Sequence, residues 1–197
     1  MPADTHRCEA NRHRNLTVIV IFSTLRQING TPETNMDIEH FWLTKSDWVP
    51  NNERLPVIVY RQINPDIDPA GFESLFLKNG WTGTWRNGIF DYHHYHSGAH
   101  EVLGVGRGRA AVQLGGPEGP TLEITRGDCL ILPAGTGHRK LTGSSDFQVV
   151  GAYPPGQEPD IQREAPTHEM IKTIRSLPTP ATDPVQGSTG ALQSLWT

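Results

Sequence analysis

The chain has 197 residues, with 20 Gly, 16 Pro, 2 Cys and a formal net charge of -4. That length suits one domain with a real core, and so much proline and glycine suits a turn-rich all-β protein better than a helical bundle. Negative charge without a Lys/Arg stripe argues against nucleic acid, whose phosphates demand a basic surface, and leaves a small molecule as the expected partner.

Residues 1–15 are polar and basic, residues 16–22 are a short apolar run, and residues 23–35 are polar again. A bilayer span needs about 20 apolar residues, so none is expected, and no small-residue cleavage site follows closely enough to suggest a signal peptide. Residues 1–35 read as a disordered extension, as an arm adding a strand to a partner, or as residues upstream of a true start at Met36. The sequons at Asn15 and Asn29 matter only in a secreted chain. Cys8 lies in this segment and Cys129 in an apolar run, so no disulfide framework is expected, which favours a reducing, cytoplasmic setting.

Residues 36–175 are expected to form the domain. Phe41-Trp42-Leu43 and residues 55–60 read as strands, the second mostly apolar. Residues 69–79, with Phe72, Leu75 and Phe76 at helical spacing, read as one short helix ended by Gly80. Strands follow at residues 89–96, 101–105, 110–114, 121–124, 129–132 and 147–152, separated by Gly-, Pro- or Ser-rich turns, an alternation that fits a jelly-roll barrel. Residues 170–174 read as a last helical turn. Residues 176–197, rich in Pro, Thr, Ser and Gly, read as a flexible tail.

Two spaced patterns carry the chemistry. Gly88, His94, His96, Glu101 and Gly108 follow G-x5-H-x-H-x4-E-x6-G, and Gly127, Pro133, Gly135 and His138 follow G-x5-P-x-G-x2-H. Alternate side chains on a strand share a face, so His94 and His96 can grip one ion while His93 and Tyr95 point the other way. Ser97-Gly98-Ala99-His100 suits a turn that returns the chain antiparallel and brings Glu101 beside the histidines. His138 enters as the fourth ligand after the Pro133-Ala134-Gly135-Thr136-Gly137 bend. His94, His96, Glu101 and His138 thus suit a divalent transition metal (Fe, Mn, Ni, Cu, Co or Zn), with positions left open for water, dioxygen or a substrate oxygen. A lone strand histidine is usually structural, but four residues of ligand type at ligand spacing are not readily explained that way.

The two segments are similar to the paired motifs of the cupin superfamily, glycines and proline included. Asn79-Gly80-Trp81, Trp85-Arg86-Asn87-Gly88, Tyr92-His93-His94-Tyr95-His96-Ser97, Leu114-Gly115-Gly116-Pro117 and Gly151-Ala152-Tyr153-Pro154 extend the likeness, over residues 37–161, to the YjlB-like branch. The resemblance implies an all-β cupin jelly-roll β-barrel with a short peripheral helix, a metal held by three His and one Glu, and a homodimer. It departs at Thr142, where the second motif commonly carries Asn, which puts the surroundings of the ligands in doubt but not the ligands.

The remaining residues have competing readings. Tyr92 is expected inward beside His94, as a hydrogen-bond donor or acid toward substrate or else as a core aromatic. Glu101 can leave the metal and act as base, as the resemblance permits. His93 and His100 suit packing, an interface or hydrogen bonding behind the ligands. Trp81 and Trp85 suit core or rim packing, Arg86 a solvated charge or a substrate-carboxylate partner, and Cys129 an inert core position. The function expected is a metal-dependent oxidoreductase of dioxygenase type acting on a small molecule. The alternatives are a redox-neutral isomerase, decarboxylase or cyclase, or a non-catalytic small-ligand-binding cupin.

Overall fold

The computed structural model describes residues 20–22 and 36–197. The expectations for residues 1–35 fall outside the described residues, except at β1 (Val20–Phe22), whose backbone pairs antiparallel with β2 (Asp37–Phe41). The other strands are β3 (Val57–Arg61), β4 (Thr82–Asn87), β5 (Glu101–Arg107), β6 (Arg109–Leu114), β7 (Thr121–Thr125), β8 (Cys129–Leu132), β9 (His138–Gly143) and β10 (Gln148–Tyr153). Three short helices accompany them: α1 (Pro69–Lys78), α2 (His168–Ser176) and α3 (Ala191–Leu195). The large sheet runs β1-β2-β3-β8-β5-β10-β4 and the small one β7-β6-β9, with every named pairing antiparallel. This is the jelly-roll β fold.

Strands β3 and β8 are continuous apolar runs because both faces of the large sheet are covered. Val57, Val59, Leu103, Val105, Leu130 and Leu132 turn inward to meet Val112, Leu114 and Ile124 of the small sheet. Alternate residues, Ile58, Tyr60, Val102, Ile131 and Val150, turn outward against Phe72 and Phe76 of α1, Trp81 and the C-terminal Leu192 and Trp196. Burying Phe72 and Phe76 fully stabilises the fold by roughly 2–3 kcal/mol each.

Helix α1 starts where Asp68 accepts a hydrogen bond from Gly71 N at 2.8 Å, with Pro69 in its first turn, where a missing N–H costs nothing. It stops at Asn79, before Gly80 at φ 81°. It lies directly on β5 because β5 carries Gly104 there: a Cβ at that position would stand 2.3 Å from the Phe72 ring.

Four expectations need correcting. Residues 89–96 form no extended strand; only His94 and Tyr95 make isolated bridges, to His138 and Gln162. Strands β4 (TGTWRN) and β9 (HRKLTG) were not anticipated, because both lie at sheet ends and carry polar residues without an apolar alternation. Strand β2 begins earlier than Phe41-Trp42-Leu43 suggested. The C-terminal segment is no flexible tail: Asp183, Leu192 and Trp196 are buried, and Trp196 Nε1 donates to Pro56 O at 2.9 Å. Composition misled there, since a few apolar anchors and one buried carboxylate suffice to hold a segment otherwise rich in Pro, Thr, Ser and Gly.

Candidate metal centre

His94 and His138 are placed by a backbone bridge at the end of the small sheet, His94 N donating to His138 O at 3.2 Å and His138 N to His94 O at 2.9 Å. Glu101 comes from the opposite side, as the first residue of β5, paired with Leu132 in the large sheet. Ser97-Gly98-Ala99-His100 is therefore not a hairpin turn: it carries the chain from one sheet to the other. Asp160 fixes that crossing, accepting from Ser97 N and Ser97 Oγ at 2.6 Å each and from Gly98 N at 2.9 Å. Gly98 leaves room for the backbone leading into Asp160, since a Cβ there would stand 2.5 Å from Glu158 O.

The three imidazoles are oriented by carbonyls. His94 Nδ1 lies 3.3 Å from Tyr92 O, His138 Nδ1 lies 3.0 Å from Thr136 O, and His96 Nδ1 meets Asp160 O. A carbonyl only accepts, so each Nδ1 carries the proton and each neutral ring presents an Nε2 lone pair, the tautomer a metal ligand needs. His94, His96 and His138 are buried, with ligand atoms all within 4.8 Å of one another. The carboxylate Oε2 of Glu101 stands 3.4 Å from His96 Nε2 and 3.3 Å from His138 Nε2. That oxygen is buried and makes no hydrogen bond. A buried carboxylate oxygen left without a donor is costly in a purely structural cluster, whereas a cation would satisfy it. The donor set fits a divalent transition metal.

Electrostatics agree. Burial, reinforced by His138 and His96, pushes His94 down to about 3, so it stays neutral across the working pH range. Burial pushes Glu101 up, but His96 and His138 outweigh it and hold the carboxyl well below the usual range. Burial also lowers His96, yet the Glu101 charge wins and raises it to about 9.

The cluster forms part of the wall of a cavity of about 310 Å³ whose other walls include Trp85, Ile89, Phe90, Leu103 and Ile161. Tyr92 is not among the lining residues. Its half-buried ring stacks on Phe90 with centroids 4.8 Å apart and lies beneath the Arg163 guanidinium at 4.0 Å. The phenol at the centre is Tyr153, which lines the cavity, donates to Glu101 Oε1 at 3.2 Å and accepts from Trp85 Nε1 at 2.8 Å. Sequence reasoning missed Tyr153 and Asp160 because both lie well beyond the second motif; Tyr153 stood within Gly151-Ala152-Tyr153-Pro154 as part of the likeness, without a role.

The other candidates separate cleanly. Arg86 lines the cavity but is held by Glu73, Nε to Oε1 at 2.6 Å and Nη2 to Oε2 at 2.5 Å. His93 is half-buried, outside the cluster, with neither ring nitrogen hydrogen-bonded. His100 is fully buried behind Glu101: its Nδ1 accepts from Ala134 N at 2.9 Å, its ring packs 4.8 Å from Trp196, and burial lowers it to about 4. Trp81 and Cys129 are core residues, and Thr142 is exposed on β9, away from the ligands.

Comparison with known proteins returns one strong relative. The chain is 39% identical over 150 residues to the uncharacterized protein YjlB of Bacillus subtilis (strain 168), covering 75% of this chain and 90% of that protein. No family model matches the chain. Among solved structures, a DUF861 family protein of Thermotoga maritima is 17% identical, covers 44% of this chain and 91% of its own, and has a TM-score of 0.31. An oxalate decarboxylase of Bacillus subtilis is 13% identical, covers 71% and 30%, and has a TM-score of 0.33. Likenesses this slight say nothing about activity. Among the described residues, no helix is long and apolar enough to cross a membrane.

Proposed function

From the premise that this chain belongs to the YjlB-like branch of the cupin superfamily, we propose that it is a metal-dependent enzyme acting on a small organic molecule, an oxidoreductase of the dioxygenase type. One observation carries this reading: three Nε2 lone pairs and the unpartnered Glu101 Oε2 converge in the wall of a cavity sized for a small molecule. His94, His96, His138 and Glu101 would hold the ion. A bound divalent ion supplies Lewis acidity and, if Fe, Mn or Cu, one-electron chemistry toward dioxygen.

The chain's own residues do the rest. Ile89, Phe90, Leu103 and Ile161 line the cavity and offer an apolar surface to a small organic molecule, Ile89 and Leu103 buried and Phe90 and Ile161 exposed. Glu101 is the one carboxylate among the lining residues, so it is the group placed to take a proton from a bound molecule. The phenol assigned to assist it is Tyr153 rather than Tyr92. The Tyr153–Glu101 pair also supports a second reading, redox-neutral acid–base chemistry such as isomerisation or decarboxylation, which needs no oxidant. A cytoplasmic homodimer belongs to this proposal, with β4, a half-exposed strand at the sheet's end, as the edge open to a partner; sedimentation equilibrium tests the assembly.

The decisive test is metal content of untagged protein beside a His94→Ala/His96→Ala variant, followed by oxygen-electrode assays with small phenols, diketones and organic acids. About one Fe, Mn, Ni or Cu per chain, lost in the variant, together with oxygen uptake during turnover, is the expected result. Turnover without oxygen uptake selects the redox-neutral reading, and no metal in either protein after reconstitution sinks both.

A further inference from the structure

The hydrogen bonds around Tyr153 have a fixed direction. Trp85 Nε1 donates to the Tyr153 hydroxyl, and that hydroxyl donates to Glu101 Oε1. An indole N–H can only donate, so the Tyr153 oxygen accepts from Trp85 while its own single proton goes to Glu101 Oε1. What the Tyr153 oxygen has left is a lone pair, and Tyr153 lines the cavity. Toward a bound molecule this phenol is an acceptor and not a donor.

The rest of the wall narrows the choice further. Ile89, Phe90, Leu103, Pro159 and Ile161 are apolar, and the one guanidinium among the lining residues, Arg86, is held at both ends of its fork by Glu73. A molecule relying on a carboxylate away from the histidine cluster would find no free cation among these residues.

We propose that Tyr153 sets the specificity of this site, selecting a compact, mostly apolar molecule of the phenol or enol class whose hydroxyl donates a hydrogen bond to the Tyr153 oxygen. The proposal takes from the enzyme reading only that the bound molecule is the substrate, since the Trp85–Tyr153–Glu101 chain is built without a metal. A partner that carries a methyl ether in place of the hydroxyl leaves the acceptor unpaired and is disfavoured.

The test uses matched pairs, phenol against anisole and 4-methylphenol against 4-methylanisole. Each is titrated by calorimetry into metal-free and zinc-loaded protein, where no oxidation intervenes. In the wild type the hydroxyl member should bind about tenfold more tightly in at least one pair, and Tyr153→Phe should cut that ratio to below roughly threefold. The change in ratio reads the hydrogen bond alone, because the added methyl is equally bulky in both proteins. Tyr153→Leu repeats the measurement if Tyr153→Phe does not fold, with the same loss of ratio expected. An unchanged ratio in whichever Tyr153 variant folds, or no pair whose hydroxyl member is preferred in the wild type, overturns the proposal. Failure of zinc to bind while the preference persists in metal-free protein removes the metal centre and leaves this inference standing.

Discussion

Three carboxylates, Asp183, Asp128 and Glu101, are buried among the described residues, and the first and last are treated in opposite ways. Asp183, fully buried under the C-terminal segment, is saturated: Oδ1 accepts from Val185 N at 2.7 Å and Gln186 N at 3.0 Å, and Oδ2 from the Tyr60 hydroxyl at 2.6 Å and Leu192 N at 3.0 Å. Glu101, almost as deeply buried, receives one phenol on Oε1 and no hydrogen bond on Oε2. Folding alone explains the first arrangement, because every buried lone pair facing a donor contributes to stability. The second leaves a buried lone pair without a donor, which folding alone does not explain and a bound cation would satisfy.

Breaking Asp183 should therefore cost stability and nothing else. Asp183→Ala strands three backbone N–H groups and leaves the Tyr60 hydroxyl only Gln186 Oε1, at 3.2 Å, to donate to, a loss of about 3–4 kcal/mol, or a fall of roughly 10 °C in Tm for a chain of this size. Asp183→Asn, which keeps one acceptor oxygen, should lose roughly half as much. Thermal melts and urea titrations measure both, and metal stoichiometry of the folded fraction should not move. An equal loss of metal would mean that the C-terminal segment is part of the centre.

Glu101→Gln sharpens the comparison from the other side. It removes the anion facing His96 and His138 and should weaken zinc or cobalt binding by more than about 100-fold, beyond what loss of a hydrogen-bonding neighbour usually causes. Its melt should stay cooperative, with a smaller shift than Asp183→Ala. Competition with a chromogenic chelator gives the affinity, and retention of wild-type affinity would remove Glu101 from the ligand set.

Asp160 stands between the two cases, since it is structural in form but acts on a ligand. Burial pushes its carboxyl up, yet the bonds from Ser97, Gln162 and Gly98 together outweigh that and hold it below the usual Asp range. A carboxyl lowered in this way stabilises the fold above the unfolded value near 3.9, about the ordinary one for Asp, and the contribution is lost as pH falls below it. Asp160→Ala loosens the crossing behind His96 and should cost about tenfold in metal affinity, with a Tm decrement over wild type that shrinks below about pH 4. A decrement constant with pH would show that the Asp160 charge is not what holds Ser97 and Gly98.

Sequence and structure part company at identifiable residues. The clustering of His94, His96 and His138 was legible because a metal demands particular side chains at particular spacings, a constraint that survives even where the local backbone was misread: the three meet although residues 89–96 are not a regular strand. The core strands β3, β5 and β8 were legible from their apolar runs. Strands β4 and β9 were not, since their places at the ends of sheets are set by partners far along the chain and leave no local apolar pattern. Asp160 escaped notice for the same reason: its role depends on meeting Ser97 and Gly98 across 63 and 62 residues, and nothing in its own neighbourhood announces that.

The smallest expected effect belongs to the residue that sequence proximity favoured most. Tyr92 is two positions from His94, but its ring is occupied by Phe90 on one side and Arg163 on another, and its contact with His94 is edge-on, with centroids 5.8 Å apart. Removing the hydroxyl leaves those ring contacts in place, and the Tyr92 group that serves the centre is its backbone carbonyl, the partner of His94 Nδ1, which a side-chain change does not touch. Tyr92→Phe should therefore alter stability by less than about 0.5 kcal/mol, with metal affinity and any turnover within about twofold of wild type. Tyr153→Phe, made in parallel, should change ligand selection while the melt holds. A large loss of turnover in Tyr92→Phe with an intact Tyr153→Phe would exchange the roles of the two phenols and place the working face of the cavity on the Phe90 side.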